Sequence, residues 1–141
     1  MNRSILIARS VTGVLFLAQL VMGVVFWTGH AVSLTQLHMM LGSAFVLALW
    51  TTTALAARAG APIAPVITSF VLGLIVAVLG MTQRQLMPGP GHWVIRVLHL
   101  LLGFAAMAVV GRLVMSLRRA GHGPGPESQR SAAAAASRKP S

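Results

Sequence analysis

Four runs of apolar residues, at about 5–27, 37–57, 65–81 and 94–117, set what this chain can fold into. Each is near the roughly 20 residues an α-helix needs to cross a hydrocarbon core. The chain is 141 residues long, 56% hydrophobic and only 9% charged, against about 25% charge in an average soluble domain. In lipid every backbone N–H and C=O must find its partner within the protein, which leaves helices or a closed barrel. Runs this long and unbroken favour helices. The expected fold is all-α, an integral membrane four-helix bundle over residues 1–119. A disordered cytoplasmic tail is expected at 120–141, where Gly, Pro, Ser and an Ala132–Ala136 run cannot build a core.

The connections are short. Gly60, Pro62 and Pro65 tighten the link between the second and third runs, and Pro88-Gly89-Pro90-Gly91 makes a rigid turn before the fourth. Short links force neighbouring spans antiparallel, so the predicted order is up-down-up-down. The first run is longer than a signal-peptide core and lacks a small-x-small cleavage site, so a retained span is expected.

Charge narrows the function. Glu127 is the sole acid and there is no cysteine. No carboxylate is therefore available in the spans as a proton relay, general base or cation site, and thiolate metal sites and covalently attached haem are excluded. The net charge of +10 does not point to nucleic acid, because the arginines sit at span ends and in the tail. Arg3, Arg9, Arg58, Arg112, Arg118 and Arg119 flank one side, with Arg130, Arg138 and Lys139 in the tail; Arg84 and Arg96 alone flank the other. The positive-inside rule then places both termini in the cytoplasm of a bacterial-type inner membrane, with the arginines against anionic lipid.

One phrase occurs twice. Leu37-His38-Met39-Met40-Leu41-Gly42 recurs as Leu98-His99-Leu100-Leu101-Leu102-Gly103, and each copy follows a Gly-His pair, Gly29-His30 or Gly91-His92. The halves thus repeat as span-loop-span, with the two motif histidines 61 positions apart. With helix axes about 8–10 Å apart, the second and fourth spans can face each other across a diagonal of roughly 13 Å. Imidazoles from both could hold one haem iron between them. His38 and His99 are therefore the expected axial ligands of one haem b near the extracytoplasmic face. Gly42 and Gly103, one turn deeper on the same faces, would give the porphyrin clearance, and Arg84 and Arg96 would answer its propionates. His30 and His92 are further candidates, for ligation, for propionate contacts or for a second haem; His122 is expected to be inert.

Plainer explanations stand beside these. A histidine near a helix start can be a satisfied packing residue. Met39, Met40, Met81, Met87 and Met107 could suit copper(I), though methionine at helical spacing is ordinarily core filling. Gly13, Gly23, Gly73, Gly80 and Gly111 are expected as close-packing positions. Trp27, Trp50 and Trp93 are expected in the interfacial belts, where Trp27 and Trp93 could also wall the haem site.

The residues also resemble a known family. Gln19-Leu20-Val21-Met22-Gly23 late in the first span, then Leu37 to Gly42 opening the second and Val97 to Gly103 in the fourth, look like one half of a haem A synthase. That resemblance covers about 10–117 and implies two four-helix halves whose second and fourth helices supply histidine ligands to haem. Where the family carries a catalytic glutamate three residues before the first histidine, this chain has Thr35, and the family's loop cysteines have no counterpart. What carries over is the haem-binding scaffold, with a homodimer as one way to restore the double-length architecture. Four-span bacterial b-type cytochromes are a comparable likeness.

The expectation is thus a membrane haem protein working in electron transfer or haem handling, alone, as a homodimer or beside a respiratory complex. Two alternatives remain. One is a compact haem A synthase-like enzyme that oxidises a haem side group, with no catalytic residue assignable. The other is a cofactor-free accessory subunit of a membrane complex.

Overall fold

Each apolar run becomes one helix. The computed structural model describes residues 3–29 and 32–120; His30, His122 and the tail lie outside the described residues. Helix α1 spans Arg3–Trp27, α2 Thr35–Arg58, α3 Ile63–Thr82 and α4 His92–Ala120, with one 3₁₀ turn at Val32–Leu34 leading into α2. All four are long and apolar enough to cross a membrane. The helices begin and end within three residues of the expected runs, as punctuation dictates. Pro62 caps α3 and Pro65 falls in its first turn, where a missing N–H costs nothing. Gly60 closes α2 at φ 86°. There Ala61 N–H donates to Ala56 O and Gly60 N–H to Ala57 O, both at 3.0 Å, the paired bonds of a Schellman end.

Sequence neighbours pack together: α1 on α2, α2 on α3, α3 on α4, while α4 touches α1 and α2 over shorter stretches. Phe45, Val46 and Leu49 of α2 meet Ala106 and Val110 of α4 in the main core, and Ala56, Val66 and Leu113 form a second cluster. Two buried polar pairs tie the helices. Thr12 and Thr52 hydroxyls lie 3.0 Å apart between α1 and α2, and Thr53 and Ser69 lie 2.7 Å apart between α2 and α3. Thr52 and Thr53 also donate to the carbonyls of Ala48 and Leu49 one turn back, so these hydroxyls satisfy themselves without water.

The apolar surface points outward. Only 11–33% of the most apolar 18-residue window of each helix is buried inside the chain. Val14, Leu47 and Ile63 are all more than 60% exposed, a pattern that in a water-soluble monomer would be an aggregation hazard.

Candidate functional site

The site is built at one end of the bundle by α1, α2, α3 and α4 together. His38 lies in the first turn of α2 and His99 two turns into α4. The two half-buried imidazoles lie within charge–charge range of each other. The Phe26 ring of α1 stands edge-on to His38, centroids 5.2 Å apart at 70°. His99 lies against α3, where a methyl group on Gly80 would come within 3.1 Å of His99 Cε1. Gly80 is a close-packing glycine, as expected, and what it accommodates is the second histidine.

Gln19 completes the arrangement. Its amide Nε2 donates to the His38 carbonyl oxygen at 2.8 Å, an oxygen already engaged by the helix ladder and using its second lone pair. A methyl group on Gly42 would sit 2.7 Å from that same Nε2. The groove over Gly42 is therefore filled by the chain's own amide, and a porphyrin could use it only with Gln19 displaced. Gly103 is buried against Phe16, where an added methyl group would make an ordinary 3.5 Å contact. Phe16 in turn meets Phe104 edge-on at 5.1 Å and Phe45 at 5.9 Å. Aromatic rings thus wall the site on the α1 side.

Three buried side-chain atoms lack hydrogen-bond partners among the described residues: Gln19 Oε1, His38 Nδ1 and His99 Nδ1. Each such orphan costs about 1–3 kcal/mol, and orphans usually mark a missing water, ion or ligand. All three belong to this one site. Among the described residues no three His, Cys, Asp or Glu side chains gather as a metal site. Two imidazoles suffice only for a metal that brings other ligands with it, as porphyrin iron does.

The remaining candidates are placed apart from the pair or in other roles. His92 opens α4, and its Nδ1 lies 3.2 Å from Leu86 O. A carbonyl can only accept, so Nδ1 carries the proton and the ring fastens the α3–α4 turn. Arg84 follows α3 and Arg96 lies in the first turns of α4, both exposed. His30 lies outside the described residues.

Two expectations need correction. Trp50 is no belt residue: it is half-buried, its indole N–H donates to Phe70 O at 3.3 Å, and its ring fills the space over Gly73. Gly13, Gly23 and Gly111 have nothing within 4 Å of an added methyl group, so they are not close-packing positions within this chain. The Thr12–Thr52 and Thr53–Ser69 pairs were not anticipated; the Thr51-Thr52-Thr53 run inside an apolar span was their visible signal. Gln19 was visible too, as a lone amide in the first span. No protein-family model, curated protein or solved structure matches the chain.

Proposed function

We propose that this chain is an integral membrane bundle of up-down-up-down topology that binds one b-type haem between His38 and His99. Both termini would face the cytoplasm and the haem would lie near the extracytoplasmic end. The gathering of unpartnered Gln19 Oε1, His38 Nδ1 and His99 Nδ1 at one buried site carries the reading. Cross-helix pairs support the topology: Gln19 meets His38 near one end of α1 and α2, whereas Thr12 meets Thr52 toward the other. The outward apolar faces support insertion in lipid.

The donor set fits a bis-histidine haem, and the aromatic walls of Phe16 and Phe26 fit its apolar rim. When bound, the group would supply one-electron chemistry, its potential tuned by the axial imidazoles and the dryness of the site. The chain's own part is to hold two neutral imidazoles, exclude water and keep carboxylates away. Arg84, just after α3, and Arg96, in the first turns of α4, both exposed, would serve the propionates. With no acid in the spans, electron transfer or haem handling is preferred to side-group oxidation.

One observation favours the cofactor-free accessory subunit as a second reading. Gln19 fills the groove over Gly42 that a haem edge would need. Haem content separates the two. The full chain, expressed with ample haem and purified, should carry about one haem per chain, and the His38→Ala/His99→Ala double variant should carry none. A folded, haem-free wild-type protein would establish the accessory reading instead.

A further inference from the structure

Of the four seams around the bundle, that between α1 and α4 is the shortest contact. Phe16 of α1 lies over Gly103 and edge-on to Phe104, and Gly13 lines one cleft with Met107. These pairs run in opposite directions along the two helices. Continued the other way at an equal rise per residue, the register sets Leu20 level with His99 and Leu100, and Gly23 level with Arg96 and Val97. Phe16, Leu20, Gly23 and Trp27 form one stripe of α1, and Gly103, Leu100, Arg96 and Trp93 one stripe of α4, at helical spacings of three and four. Burial falls away from Phe16 along both stripes. Gly103 is buried and Leu100 half-buried, whereas Arg96 and Trp93 are exposed; half-buried Phe16, Leu20 and Gly23 give way to exposed Trp27. The seam therefore opens at the level of the histidines.

Gly23 marks a gap in the α1 wall. It lies four residues after Gln19 and three before Phe26, the α1 residues that touch His38, so it faces the same end of the bundle. Yet a methyl group on Gly23 would meet nothing within 4 Å among the described residues. The two neighbouring seams are closed at this level: Gln19 and Phe26 join α1 to α2 at His38, and His99 fills the space over Gly80 between α3 and α4. We infer that the α1–α4 seam beside Gly23 is the passage by which haem enters the histidine site sideways from the bilayer. The slot matches that occupant. Leu20 and Leu100 offer apolar walls to the ring, and Arg96, exposed at the level of Gly23, stands at the mouth for the propionates. The edge-on pair Phe16 and Phe104 floors the slot. The passage rests on the haem reading above and is crossed only during loading, so narrowing it should change the rate of uptake and not the spectrum of bound haem.

Haem uptake by the full chain, expressed under haem limitation and placed in lipid nanodiscs, tests it. The chain has no cysteine, so Gly23→Cys supplies a single thiol, which a benzyl methanethiosulfonate caps reversibly. Capping should slow uptake by about tenfold or more, a modest addition to a barrier, and a thiol reductant should restore it. The same cap on Val14→Cys, on the outward face of α1, should leave uptake at the wild-type rate. Capping after loading should leave haem content and spectrum unchanged. A thiol that the reagent cannot reach, or uptake that ignores the cap while wild type takes haem, would overturn the passage and leave the haem reading standing. Haem expelled by a cap added after loading would make Gly23 part of the seat and overturn the passage as well. A folded wild type that takes no haem at all would bring down the haem reading and the passage together.

Discussion

Gln19 and His38 are joined across α1 and α2 by a 2.8 Å hydrogen bond from the glutamine amide to the histidine's backbone carbonyl, and the bond runs through the space that Gly42 leaves open. The first turn of α2, which carries His38, is thereby fastened to α1 from the side. A polar amide buried among apolar helices is held there by a backbone acceptor, and the glycine is the condition for its reach.

Gly42→Ala should therefore be costly out of proportion to one methyl group. With Nε2 only 2.7 Å from the new carbon, Gln19 must swing out and its bond is lost, for about 1–3 kcal/mol. In a Gln19→Ala background the same substitution should be nearly free, giving a coupling of about 0.5–3 kcal/mol in a double-mutant cycle. Unfolding in detergent measures it, and additive effects would contradict the contact.

Gly80→Val should push on the His99 ring, because a first carbon already stands 3.1 Å from Cε1. The expected loss is about 1–3 kcal/mol, accompanied by a changed haem spectrum where haem is bound. Gly23→Val, at a position with open space around it, is the control and should change neither.

Thr53→Val removes the 2.7 Å pair with Ser69 while keeping the side chain's shape. Hydrogen bonds between membrane helices average about 0.6 kcal/mol, and that is the destabilisation expected by thermal unfolding. Ser69→Ala added to Thr53→Val should then cost almost nothing more; a second full loss would show that the two hydroxyls act separately.

His92→Ala loses the bond to Leu86 O and should cost at most about 1 kcal/mol, since the turn is exposed. It should leave the haem spectrum of the purified protein unchanged. A change in axial ligation on this substitution would make His92 a ligand and displace the role assigned to it here.

Much of the fold was legible in the sequence because four long apolar runs set the number and length of the helices and Pro and Gly mark their ends. Pro62, Pro65 and Gly60 mark helix ends by backbone chemistry that tertiary context does not override. The placement of His38 and His99 near the starts of α2 and α4 was legible as well, from the repeated His-x-x-x-Gly at matching span starts. What lay beyond the sequence was the partner of each glycine. Spacing puts Gly42 and Gly103 on the histidine faces but does not say what fills the room they leave. Gln19 and Phe16 come from α1, and only the helices' relative rotation brings them there. Trp50 was misplaced for a like reason: spacing along α2 does not show that Gly73 of α3 leaves room for its half-buried indole.

The most direct test is the optical spectrum of the detergent-purified full chain, oxidised and then reduced with dithionite, beside His38→Ala and His99→Ala. Sharp low-spin haem bands in the wild type, turned high-spin or lost in each variant, are the result expected if both imidazoles ligate the iron. A correctly folded but colourless wild type, or low-spin bands that survive both substitutions, would contradict the account.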